Sequence, residues 1–180
     1  THGWFPIPAI ADRRPPELVV RASEPDLYFE PGRKIYVDGS CYEGTDRHLA
    51  ASGAAAVQVD FDGIPTDITQ VRCTKAIMIT VPAHMAQTAA TGEHLALWGT
   101  NWHTKGPFLA VADCASVVAS ANNGRAWATD PARPFAHLWN SVRFSDVQVQ
   151  KIKAHRSPPV AASREELLDY WGNAMADSKA

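Results

Sequence analysis

Between residues 34 and 80 three strand-like runs follow one another with nothing helical between them, and two later runs are each set off by helical segments. The first, 34–40 (KIYVDGS), puts Ile35 and Val37 on one side and stops at a Gly-Ser turn. Runs 53–61 (GAAAVQVDF) and 70–80 (QVRCTKAIMIT) follow, with Asp62-Gly63 marking a turn between them. Residues 85–102 are rich in Ala, Leu and Met and free of proline, which predicts a helix. Run 107–113 (PFLAVAD) is short and apolar, hence a buried strand, and 114–121 continues as a helix ending near Asn122-Asn123-Gly124. A helix over 134–142, a half-buried strand over 146–154 and a last helix opened by the capping box Ser163-x-x-Glu166 complete the order. The first three strands can pair antiparallel, whereas the fourth and fifth need parallel crossovers. The order β-β-β-α-β-α-α-β-α therefore predicts an α/β fold, a five-stranded mixed sheet with helices on both faces.

Six of the thirteen prolines lie in residues 1–33. Proline removes donors and restricts its neighbours, so this stretch reads as an extended arm or linker, with the folded domain over 34–180. A chain of 180 residues is long enough for one ordinary domain with a core of its own. It starts at Thr1 without a Met, which reads as a piece of something longer. No apolar run approaches the ~20 residues that span a bilayer, so no membrane partner is expected. Cys41, Cys73 and Cys114 are widely spaced with no CxxC, and they read as reduced thiols of an intracellular protein.

A formal charge of −2 excludes a protein that binds nucleic acid by bulk charge. Residues 105–156, however, carry seven Lys and Arg against three Asp and Glu. That segment, with Lys105, Arg125, Arg133, Arg143, Lys151, Lys153 and Arg156, suits a face turned towards a polyanion.

Four acids stand out from the polar stretches that hold most of the others. Asp38 ends the first strand, Glu93 interrupts an apolar helix, Asp113 ends PFLAVAD and Asp177 lies in the last helix. A cap or turn role would account for any one of them. Together they say more, because strands one and four of a mixed sheet can lie side by side, setting Asp38 next to Asp113. Carboxylates that close repel unless a proton or cation joins them, and a pair of Mg²⁺ ions with oxygen ligands is the standard device for phosphodiester hydrolysis. His84, His94 and His103 read as surface or satisfied residues, since Mg²⁺ prefers oxygen.

IYVDGS, the Glu of ATGEHLAL, VADC, GNAMAD and the His of KIKAHRS together resemble the ribonuclease H family, with the type I enzymes and reverse-transcriptase-linked domains nearest in pattern. The resemblance runs from about Arg33 to Ala180 and includes the order of elements. It implies that Asp38, Glu93, Asp113 and Asp177 form a catalytic quartet binding two Mg²⁺ ions, with Mn²⁺ able to substitute. His155 matches the family's mobile histidine and Asn173 the asparagine of its last motif. The implied reaction is hydrolysis of the RNA strand of an RNA–DNA hybrid, leaving 5′-phosphate and 3′-hydroxyl ends. Gly39, Ser40 and Cys41 are the candidates for reading the ribose 2′-hydroxyl. Arg125 and Trp127 fall where some members handle substrate, and a covalently linked reverse transcriptase is an implied partner.

The pattern departs from the family in four places. Thr88-Ala89-Ala90 replaces a common Thr-Asn-Asn run, so Thr88 alone of that run remains for substrate. Cys114-Ala115 follows the third acid where Ser-Gln is common, Ala154 precedes the histidine in place of Gly, and seventeen residues separate His155 from Asn173. These changes leave room for an alternative, a non-catalytic spacer or nucleic-acid-binding domain of the same fold. An exonuclease or strand-transfer enzyme fits less well, because the first strand lacks Asp-x-Glu and the set closes on Asp177, not Glu. Oligomeric state is open at this level.

Overall fold

A computed structural model of the chain describes residues 19–42, 50–154, 157, 159 and 162–180. The strands are β1 (Val19–Ala22), β2 (Ile35–Tyr42), β3 (Ala51–Asp60), β4 (Arg72–Thr80), β5 (Phe108–Ala112) and β6 (Val147–Lys151). The helices are α1 (Ala89–Trp102), α2 (Ala115–Asn122), α3 (Gly124–Ala128), α4 (Ala136–Trp139) and α5 (Arg164–Lys179). They build one mixed sheet in the order β1-β4-β3-β2-β5-β6. The pairs β1–β4, β4–β3 and β3–β2 are antiparallel, and β2–β5 and β5–β6 are parallel.

The sheet has six strands where five were expected. Val19–Ala22, inside the proline-rich stretch, pairs with the outer edge of β4, Val19 opposite Thr80. All four of its residues are exposed, so no buried face imposed an alternating pattern that could be read in advance. Leu27 and Phe29, which follow it, are buried in the core.

Alternation along β2 divides the core in two. Ile35 and Val37 join Ile77, Ile79, Leu95 and Leu97 on the α1 face. Tyr36 points the other way, into a cluster with Val57, Val59, Val111 and the α5 residues Leu167, Trp171 and Met175. Each such fully buried side chain contributes ~1.5–3 kcal/mol. Helix α5 can come this close because Gly172 lies flat on the Tyr36 ring, where a methyl would meet its Cγ at 2.5 Å.

Local chemistry sets the ends. Helix α1 begins at Ala89 and not at Met85, because the Thr88 side chain accepts the Thr91 N–H and caps it. The capping box at Ser163 and Glu166 is present as read, each side chain taking the other's backbone N–H. Beyond Asn123 the chain does not pass into a loop. Gly124 adopts φ 80°, which breaks the helix direction, and α3 starts there. The connection from β3 to β4 is longer than a tight turn and contains the short 3-10 helix Ile68–Gln70. None of the helices among the described residues is long and apolar enough to cross a membrane.

Candidate metal centre

Parallel pairing brings the two strand-end acids together. Ile35 lies opposite Ala110 and Tyr36 opposite Val111, so continuing that register by two residues sets Asp38 level with Asp113. Glu93 arrives from the third direction. Helix α1 crosses β2 and β3 at a seam of glycines, with Gly92 packed against Gly39 and the Gly53 carbonyl. Any side chain along that seam would hold the helix off the sheet. The carboxylates of Asp38, Glu93 and Asp113 consequently approach to within 4.8 Å of one another.

Asp38 is 7% exposed and Glu93 4%, while Asp113 is half-buried. Burial pushes the Asp38 carboxyl up, to about 6, even though a hydrogen bond from Glu93 and the Gly39 N–H at 2.8 Å favour its charged form. The charges of Asp113 and Asp177 add to the rise. Glu93 is pushed well above the carboxylate range by burial and then by the neighbouring Asp38 charge, so it holds the shared proton and donates it to Asp38. Its Oε2 is buried without a hydrogen-bond partner. An oxygen-rich, proton-holding pocket with an orphaned carboxylate oxygen fits a hard divalent cation.

The remaining expected residues occupy varied positions. Asp177 is exposed near the end of α5 and outside the tight trio, although its charge is felt at Asp38. Asn173, one turn earlier, is half-buried and its Oδ1 has no partner. His155 and Arg156 lie outside the described residues. Gly39, Ser40 and Cys41 continue β2 past Asp38 and are half-buried, with the Cys41 thiol donating to the Gln87 carbonyl at 3.3 Å. Thr88 is the α1 cap. Arg125 is exposed but engaged, donating to the Asn140 and Val142 carbonyls at 3.3 and 2.9 Å and lying over the Phe144 ring. Trp127 is covered by Arg133, whose guanidinium sits 3.1 Å from the ring centroid. Arg143 is likewise engaged with Asn101, Thr104 and Asp146. Lys151 and Lys153 remain exposed.

Sequence reading did not find the polar chain that runs from the core to the rim of this pocket. The indole N–H of Trp139 donates to His94 Nδ1 at 2.8 Å, and His94 Nε2 meets Ser116 Oγ at 3.0 Å. Ser116 Oγ in turn lies 3.1 Å from the Cys114 sulfur. His94 is 2% exposed and stacks on Phe135, so burial lowers its pKa to about 4 and keeps it neutral. The residue types gave no signal of this, because the partners come from three separate helices and a strand end.

No family model matches the sequence, and no curated protein matches it. Several solved structures do. The PFV RNase H domain in solution is 21% identical, over 82% of this chain and 91% of that one, with a TM-score of 0.54. The prototype foamy virus protease-reverse transcriptase is 21% identical over 82% of this chain, with a TM-score of 0.56. The foamy viral protease-reverse transcriptase in complex with RNA/DNA hybrid is 18% identical over 94% of this chain, with a TM-score of 0.50. The chain spans only 20% and 21% of the length of those two chains. It has the ribonuclease H fold.

Proposed function

We propose that this chain is a metal-dependent endoribonuclease that hydrolyses the RNA strand of RNA–DNA hybrids, serving as the ribonuclease H domain of a retroelement reverse transcriptase or polyprotein. The observation that carries this reading is the meeting of Asp38, Glu93 and Asp113 from three distant segments, with Glu93 Oε2 buried and unpartnered. A structural role for these acids would have given that oxygen a donor.

Asp38, Glu93, Asp113 and Asp177 are the residues that would hold two Mg²⁺ ions, or Mn²⁺ in their place. When bound, such ions supply an activated water and neutralise charge on the departing 3′ oxygen. The chain's own groups do the rest. Asp38 and Glu93 release their shared proton as the site loads. Gly39, Ser40 and Cys41, at the open end of β2, present backbone and side-chain polar groups to the ribose. Lys151 and Lys153, exposed at the end of β6, and Lys105, exposed beside Tyr28, are cations available for phosphate. Roles for His155, Asn173, Thr88 and Trp127 in product release and substrate grip belong to the same proposal. Residues 34–180 carry the proposed catalytic groups inside the cell, and the stretch before them, which adds β1 to the sheet and Leu27 and Phe29 to the core, leads back to a polymerase.

A labelled hybrid incubated with Mg²⁺ and either the wild-type chain or Asp38→Asn tests the reading. Wild type is expected to cut the RNA strand, leaving 5′-phosphate and 3′-hydroxyl ends, and Asp38→Asn to leave it whole. Equal cleavage by both would overturn the assignment. Hybrid binding without metal-dependent turnover, unchanged in Asp113→Asn, would mark a non-catalytic binding domain instead.

A further inference from the structure

Most cations of the described residues are already engaged. Six Lys and Arg side chains pair with acids, and Lys105, Arg125 and Arg133 lie over aromatic rings. Arg21, Lys151, Lys153 and Lys179 have no ion pair, hydrogen bond or ring contact among those residues, and all four are exposed.

The sheet register sets these four on either side of the carboxylate trio. Arg21 pairs with Met78, Met78 with Ala55, and Ala55 with Asp38, so Arg21 and Asp38 share one cross-strand row and one face of the sheet. Three inter-strand steps separate them, ~14 Å. On the other flank Ala112 pairs with Lys151, so Lys151 and Lys153 bracket the position level with Asp113.

Arg21 and Lys179 also line one hollow of about 230 Å³ beside Gly53, Met78 and Thr80. No acidic side chain of the described residues lines it. Lys179 answers the negative C-terminal end of α5, whereas nothing answers Arg21. Two like charges kept together repel until an anion joins them. An open hollow in the Asp38 row suits a phosphate carried by the same duplex as the phosphate at the metal centre.

We propose that Arg21 and Lys179 form a second phosphate-contact surface for duplex nucleic acid, on the opposite flank of the metal centre from Lys151 and Lys153. The strand beyond the expected five, β1, is then a substrate-binding element, since it supplies Arg21. This inference rests on the hybrid substrate proposed above.

The test measures binding of a labelled RNA–DNA hybrid to the whole chain in EDTA, by fluorescence anisotropy across a range of NaCl concentrations. An Arg21→Gln, Lys179→Gln double variant, checked for folding by circular dichroism, is expected to bind about tenfold more weakly and to lower the salt slope by ~1–2. With Mg²⁺ the same variant is expected to raise KM for the hybrid. Arg72→Gln removes a cation that pairs with Asp62 at the far end of β4, and it is expected to match wild type in affinity and slope. Wild-type affinity and slope in the double variant would overturn the proposal. So would an equal loss in Arg72→Gln, which would mean net charge acting alone. Metal-dependent cleavage by wild type with an unaffected double variant would sink this inference and leave the nuclease reading standing. Weakened binding in the double variant of a chain that cuts no hybrid would do the reverse.

Discussion

Gly39 and Gly92 touch: a methyl on Gly92 would lie 2.8 Å from the Gly39 Cα and would run into the Gly53 carbonyl as well. This bare contact lets α1 descend onto β2 far enough for Glu93 to reach Asp38.

Gly92→Ala is accordingly expected to lose ~1–3 kcal/mol, the cost of overpacking against backbone that cannot step aside. It should also weaken Mn²⁺ binding, because Glu93 is lifted from the other two acids. Urea unfolding and a Mn²⁺ titration read the two effects. A variant as stable as wild type with intact affinity would contradict the seam.

The raised carboxyls predict a pH dependence of stability without metal. Native Asp38 and Glu93 keep protons that the unfolded chain has already released, so the folded state binds more protons and stability falls as pH rises. The loss begins in the ordinary carboxylate range, continues through about pH 6 for Asp38, and extends higher for Glu93. Millimolar Mg²⁺ should flatten this slope, and Asp38→Asn should reduce it. Unfolding curves between pH 4 and 8 with and without Mg²⁺ read the slope, and a flat or rising profile without metal would contradict the raised carboxyls.

His94 acts in the opposite sense. Its folded pKa is lowered from 6.5 to about 4, so the stability it lends is complete above the unfolded value and drains away as pH falls towards 4. The full effect is on the order of 3 kcal/mol. His94→Gln, which can still accept from Trp139, should lack this component, and the difference between the two proteins' acid unfolding profiles measures it. Parallel profiles would show that the ring is already charged when folded.

Asp169 anchors α5 to the sheet. It accepts from Lys34 at 2.8 and 3.0 Å, from the Tyr36 hydroxyl at 3.2 Å and from Gln150 at 3.1 Å. Asp169→Ala leaves those donors facing a gap and is expected to lose ~3 kcal/mol, the scale for breaking one side of a buried pair. Asp169→Asn, which keeps the shape and one acceptor, should lose less. Thermal unfolding of the two variants checks the order, and equal losses would show that charge alone matters.

How far the sequence could be read depended on whether a constraint was local. Ser163-x-x-Glu166 announced the start of α5 because a capping box is satisfied within four residues. Asp38 and Asp113 could be placed side by side because a helical crossover allows their strands to pair in parallel, as they do. Val19–Ala22 was hidden, since an exposed edge strand has no face to bury. The engagement of Arg125 was hidden for another reason: its acceptors, the Asn140 and Val142 carbonyls, are fifteen and seventeen residues away and come within reach only once the chain between them folds back. The Trp139–His94–Ser116–Cys114 chain was illegible for the same cause.

Because its three carboxylates are drawn from β2, α1 and the end of β5, the proposed cation uptake would also be a readout of assembly. No fragment lacking any one of those segments contains the trio, and closing the loops between them carries an entropy cost that only the finished sheet repays. A titration with Mn²⁺ during refolding would thus date the moment at which the central strands and the first long helix lock together, and added ion would pull lagging molecules across by mass action.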